Sequence, residues 1–281
     1  MIHETGHVDV RHSRARGTSH LFTQSWSPED LRARVLLVHG LGEHSGRYEH
    51  VARALVARGF AVHTLDHYGH GKSDGHRGHV ERFSVFLDGV GALLERIRAA
   101  DTESPLFLVG HSMGGLIAAH FLLGHQARFR AAVLSGPAFK SDAEPPAIVM
   151  ALLRILSFIV PTVPVLGLDP AGVSRDPEVV AAYIRDPLVR HGKVTARLAA
   201  EMSAAMKAAL AGANEVALPL LVMHGEDDVL TSPLGSRAFV DAAGSLDKTL
   251  KVYPGLYHEI FNEPEKDAVI GEMCDWLETH L

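Results

Sequence analysis

At residues 110–114 the chain reads Gly-His-Ser-Met-Gly, and Gly115 follows. The apolar run 106–109 precedes this pentapeptide and a helical run, 116–123, succeeds it. That is the context of a nucleophile elbow, a sharp strand-to-helix turn that exposes a serine hydroxyl in a strained backbone conformation. The competing reading is a Gly-rich packing turn with no chemistry. A serine hydroxyl is a weak nucleophile until a base takes its proton, and the base needs a carboxylate to hold its tautomer. On this kind of elbow the chain order is Ser, acid, His, so both partners are sought downstream, in loops that follow strands.

His224-Gly225-Glu226-Asp227-Asp228 directly follows the apolar run 218–223, and His258 lies shortly after the run 249–252. The G-x-x-D spacing selects Asp228 as the acid, with Asp227 as the alternative, and His258 is the expected base unless it is a surface-loop histidine. His224, beside the acid's own turn, and His191 fit the base less well. Attack by Ser112 on a carbonyl would build negative charge on oxygen, which preorganised backbone N–H groups stabilise. Met113, directly after the nucleophile, is one expected donor. The second is Leu41, in the loop His39-Gly40-Leu41-Gly42-Glu43-His44, where glycines let the backbone approach a substrate.

These loops need a scaffold. Short Val-, Leu- and Ile-rich runs at 34–38, 61–65, 106–109, 131–134, 218–223 and 249–252 alternate with helical stretches at 48–58, 80–100, 113–125, 233–243 and 264–281. The alternation implies an α/β chain with a mostly parallel, doubly wound sheet and functional loops at the strand C-termini. Residues 7–26 can supply a leading antiparallel hairpin that turns near Arg16 and Gly17. From 140 to 216 the strand-and-crossover rhythm stops, and the sequence is helical and Pro-rich without strands. It is read as an inserted helical cap that divides the core into 1–139 and 217–281.

Residues 145–168 contain one charge, Arg154. A helix over 147–160 would measure about 21 Å, short of the ~30 Å hydrocarbon thickness, so it cannot span a bilayer. Ile148, Leu152, Ile155 and Ile159 line one face, and Val149, Leu153, Leu156 and Val160 the neighbouring one. Either both faces pack inward, or one walls an acyl pocket while another dips into a lipid surface with Arg154 snorkelling to headgroups.

Composition excludes several alternatives. Of 281 residues 47% are hydrophobic and 21% charged, as in globular chains. The net charge of -6 and the lack of a dense basic stretch argue against nucleic acid as a partner. The single cysteine, Cys274, allows no intramolecular disulfide and reads as a buried structural thiol. The 19 histidines are scattered without H-E-x-x-H spacing, so no metal is expected; His3, His7 and His12 read as solvated. Residues 1–20 lack the apolar stretch of a secretory signal, which makes the cytoplasm the expected location, with peripheral contact at a membrane.

Taken together, HGLGEHSGRY at 39–48, DHYGHGKSDGHRGHV at 66–80, GHSMGG at 110–115, HGEDD at 224–228 and YPGLYHEIFNEPE at 253–265 resemble the monoacylglycerol lipases of the α/β-hydrolase superfamily. The resemblance extends over most of the chain. It implies an α/β-hydrolase fold, a Ser112-Asp228-His258 triad, an oxyanion hole from Leu41 and Met113, no cofactor, and a cap that feeds lipid into an apolar tunnel. It also implies that Tyr183, within DPEVVAAYIRDPL at 176–188, contacts substrate hydroxyls, with Glu43 and His111 in the same polar pocket. The animal members place a second histidine three residues after the catalytic one and cysteines near the site. Here Phe261 stands at that position and Cys274 is the sole cysteine, a pattern that points to the bacterial members.

The expected activity is therefore hydrolysis of a monoacylglycerol to glycerol and a fatty acid through an acyl-enzyme. A lysophospholipase or general carboxylesterase would use the same machinery, and a non-catalytic lipid-binding protein could keep the fold.

Overall fold

The computed structural model describes residues 1–11, 17–141 and 146–281. The chain opens with two long antiparallel strands, β1 (Ile2–Arg11) and β2 (Thr18–Ser27). The hairpin thus begins five residues before the expected 7, because the alternating side chains of 2–6 continue the ladder: Ile2 pairs with Ser27 and Gly6 with Thr23. His3 and His7 are exposed, His3 stacked on Trp26; His12 and Arg16 lie outside the described residues.

Core elements follow: β3 (Ala33–Val38), α1 (Glu49–Ala57), β4 (Phe60–Leu65), α2 (Ser84–Ala100), β5 (Leu106–His111), α3 (Met113–His125) and β6 (Ala132–Ser135). After an excursion the chain returns as β9 (Leu220–Gly225), α7 (Pro233–Ala242), β10 (Lys248–Tyr253) and α8 (Lys266–Glu278). The sheet order is β1-β2-β4-β3-β5-β6-β9-β10, antiparallel at β1-β2-β4 and parallel from β4 onward.

Successive residues of a strand face opposite sides of a sheet, and here both sides are covered. Leu36 and Val38 join the core beneath α2 and α3, whereas Val35 and Leu37 join the one beneath α1 and α8. That double burial explains the near-continuous apolar strands. Helix α3 is buried almost all round, as a central helix should be. Cys274 is buried in α8, and burial pushes its thiol up to about 11.

The excursion between β6 and β9 holds α4 (Ala147–Ile159), β7 (Pro164–Leu166), α5 (Pro177–Arg185), β8 (Val194–Thr195) and α6 (Ala196–Ala211). The sequence reading expected no strand here. Yet β7 and β8 pair antiparallel as a small ribbon, with Pro164 opening its strand, where a missing N–H costs no ladder bond. Of the two apolar faces on α4, the first stays bare: Ile148, Leu152, Ile155 and Ile159 are each 55–73% exposed. Leu153, Leu156 and Ser157 turn inward, and α4 packs on α6. No helix among the described residues is long and apolar enough to cross a membrane.

Chain direction across the sheet reverses between β3 and β5, since β3 leads to β4 on one side and β4 leads to β5 on the other. In an open α/β sheet the crevice beyond the strand C-termini at such a switch is where ligands bind.

Candidate active site

Ser112 sits directly after β5 with φ 55° and ψ -121°, and it is the only non-glycine described residue with positive φ. The strain is sustained by contacts that admit no side chain at its neighbours. A Cβ on Gly114 would lie 2.1 Å from the Val38 carbonyl oxygen, and one on Gly110 would lie 2.5 Å from that of Gly114. The Ser112 N–H donates to Ser135 O at 2.9 Å and its carbonyl accepts from Ala138 N at 3.0 Å, so the elbow is anchored to the β6 side.

The turn after β9 brings in Asp228 and the loop after β10 brings in His258. His258 Nε2 lies 2.8 Å from Ser112 Oγ, and His258 Nδ1 lies 2.6 Å from Asp228 Oδ2. All three residues are buried. Asp227, the alternative acid, is exposed, and His191 is exposed in the excursion. His224 is fully buried behind the acid, with Nε2 3.1 Å from Asp228 Oδ2 and Nδ1 2.7 Å from Ser236 Oγ.

Burial alone would raise the Asp228 carboxyl, but His258 and His224 hold it well below the usual carboxylate range. Its Oδ1 accepts from the Leu230 and Thr231 N–H groups at 2.8 and 2.9 Å, and Oδ2 accepts from the Thr231 hydroxyl at 2.9 Å. For His258 burial works downward, yet Asp228, Glu259 and Glu43 together raise the imidazole above its ordinary value.

The loop after β3 comes close to the elbow: a Cβ on Gly40 would lie 3.1 Å from Ser112 Cβ. Leu41 follows Gly40 directly in that loop, and Met113, directly after the serine, opens α3, where the first N–H groups have no intrahelical acceptor. His111 is buried, its Nδ1 3.2 Å from Ser135 Oγ and its ring 4.8 Å from that of His258. Burial, then His258, lower it to about 3, so it is neutral at working pH. Tyr183 is buried, and its hydroxyl lies 3.8 Å from where a Gly42 Cβ would be.

Glu43 faces inward rather than into open space. Its Oε1 accepts from the Gly40 N–H and the Tyr48 hydroxyl, both at 2.6 Å, and its Oε2 accepts from Arg47 at 2.8 Å.

Sequence reading did not single out Arg47, Glu259 or Thr231. Arg47 forks onto Glu259 at 2.6 and 2.7 Å and lies 4.8 Å from the Tyr183 ring centre. The signal for the pair was a charged residue, Glu259, immediately after the expected base. For Thr231 it was a hydroxyl three residues after the acid, a spacing at which a side chain can bond back locally.

The family described as serine aminopeptidase, S33, matches residues 29–265. A monoacylglycerol lipase from Mycolicibacterium smegmatis is 42% identical, over 91% of this chain and 92% of the relative. A human monoglyceride lipase is 31% identical, over 96% and 90%. The crystal structure of a Paleococcus ferrophilus monoacylglycerol lipase superposes with a TM-score of 0.85 at 33% identity, covering 93% of this chain and 99% of that one.

Proposed function

Because this chain belongs to the S33 serine hydrolase family and, within it, to the monoacylglycerol lipases on an α/β-hydrolase fold, we propose that it hydrolyses monoacylglycerols to glycerol and fatty acid through an acyl-enzyme on Ser112. The observation that carries the mechanism is the continuous hydrogen-bonded line Ser112 Oγ, His258, Asp228, at 2.8 and 2.6 Å.

In the first half-reaction His258 Nε2 takes the Ser112 proton as Oγ attacks the ester carbonyl. Leu41 and Met113 N–H groups receive the oxyanion, each donor being worth on the order of 3 kcal/mol in such sites. His258 then gives the proton to the departing glycerol oxygen, leaving the acyl group on Ser112. Water repeats the sequence and releases the fatty acid. Asp228 holds the imidazole tautomer throughout and stabilises its charged form. No metal or organic cofactor enters any step.

Residues 140–216 serve as the cap over this site. Tyr183, with neutral His111, lines the polar end that receives the glycerol hydroxyls, and Glu43 contributes there through the loop it holds and through Arg47. The bare face of α4, with Phe158 also 74% exposed, fits a lipid surface, and exposed Arg154 can reach headgroups. The enzyme then works at the membrane periphery without a span.

The test is one substrate panel on purified protein. Long-chain monoacylglycerols should be turned over faster than diacylglycerols, lysophospholipids or short soluble esters, and Ser112→Ala should abolish turnover. A preference for lysophospholipids or short esters would move the assignment to a lysophospholipase or general carboxylesterase.

A further inference from the structure

Glu259 is 5% exposed, follows the base directly, and carries a charge the triad does not use. Burying a carboxylate is costly unless it is paired and hydrogen-bonded. Arg47 pairs it through a two-point fork, and Asn262 Nδ2 donates to it at 2.9 Å. The same guanidinium bonds Glu43, which accepts the Gly40 N–H. One unbroken set of charge-assisted bonds thus runs from the backbone of the 40–42 loop to the residue beside His258. These are the two loops whose separation decides whether the base and the oxyanion donors address one carbonyl carbon. On the other side the Glu259 N–H donates to Val173 O at 2.8 Å, so the histidine loop is also fixed to the segment that precedes α5.

Two carboxylates around one guanidinium leave a negative excess next to the base. The charged groups that act on His258 are Asp228 from the β9 turn, Glu43 from the β3 side and Glu259 on its own loop; the His111 ring at the end of β5 lies 4.8 Å away, and Arg47 is bonded to both glutamates. His224 reaches His258 through Asp228 and through the Thr231 hydroxyl. His111 is neutral and cancels nothing. Resting on the reading above, we infer that Glu259 is a positioning residue for the hydrolysis: gripped by Arg47, it fixes the histidine loop against the oxyanion loop. It also supplies a second fixed negative charge, beyond Asp228, for the imidazolium formed when His258 takes the Ser112 proton.

The test compares wild type, Glu259→Gln and Glu259→Asp on a soluble ester, measuring kcat, KM and the pH profile of kcat/KM. Glu259→Gln should lower kcat about tenfold with KM within about twofold, and shift the acid limb down by about half a pH unit. Glu259→Asp restores the charge and should return the limb to its wild-type position. A folded Glu259→Gln with wild-type kcat and limb overturns the inference, as does a Glu259→Asp limb displaced as far as that of Glu259→Gln. Should Glu259→Gln not fold, Arg47→Lys keeps the charge but loses the fork. It should then lower kcat with the limb in place, and unchanged kcat overturns the proposal. Wild-type turnover and its loss in Ser112→Ala are measured in the same series, so a failed serine mechanism is told apart from a failed role for Glu259.

Discussion

His224 Nε2 stands 3.1 Å from Asp228 Oδ2, the same oxygen that takes the hydrogen bond of His258 Nδ1 at 2.6 Å. One carboxylate oxygen therefore serves two imidazoles, and the Thr231 hydroxyl reaches it as well. Donors to the charged form keep Asp228 ionised throughout the working range. The acid limb of activity then belongs to His258.

The sign of that limb follows from the site. His258 must be neutral to accept the serine proton, and its neighbours raise it above the ordinary histidine value near 6.5. Activity should be full at alkaline pH and fall with unit slope as pH drops through the raised value. A pH profile of kcat/KM on a soluble ester measures it, and an acid limb lying below 6 would contradict the charge arrangement around the imidazole.

Asp228→Asn keeps the volume but removes the anion. Deprived of a group to hold its tautomer, His258 should cost the enzyme about 10⁴ in kcat, with KM little changed. Steady-state kinetics on the folded variant checks this. A loss under tenfold would transfer the acid's role to another residue.

Much of this site could be read from the chain because local geometry dictates residue type. The elbow needs Gly110 and Gly114 where carbonyl oxygens leave no room, so the motif announces itself. Parallel strands covered on both faces are apolar throughout, which made β3 to β6 and β9 visible; their ends moved by one or two residues, outward where ladder pairing ran past the apolar run, as at Ala33, and inward where pairing began later, as at Ala132 and Leu220. Partnerships across the chain were not readable. Arg47 and Glu259 are 212 residues apart, and no periodicity links them. The β7-β8 ribbon is too short and Pro-bound to show an alternation. Glu43 was placed in a substrate pocket by resemblance alone, and only coordinates reveal that Gly40, Tyr48 and Arg47 already bind it.

Gly114→Ala tests the packing of the elbow. A methyl 2.1 Å from Val38 O and 2.5 Å from His39 O cannot be accommodated without moving the β3 loop. The variant should lose about 3 kcal/mol or more of stability, by analogy with overpacked cores, and denaturant unfolding measures it. Wild-type stability would mean that the strand and helix do not approach as closely as described.

The bare face of α4 makes a separate prediction. Ile155→Ser combined with Ile159→Ser removes two aliphatic groups that are 55% and 73% exposed. Full burial of such a side chain is worth about 1.5–3 kcal/mol, so vesicle binding should weaken at least about tenfold while hydrolysis of a soluble ester is unaltered. Co-sedimentation with liposomes and a parallel ester assay separate the two. Unchanged sedimentation would remove α4 as the lipid-facing element.

The most direct test of the central claim is to quench the enzyme in acid during turnover of a long-chain monoacylglycerol and to locate the acyl group by peptide mass spectrometry. An acyl ester on Ser112, absent from the Ser112→Ala variant together with turnover, is the predicted result. Continued hydrolysis by Ser112→Ala, or an acyl group carried by a different residue, would contradict it.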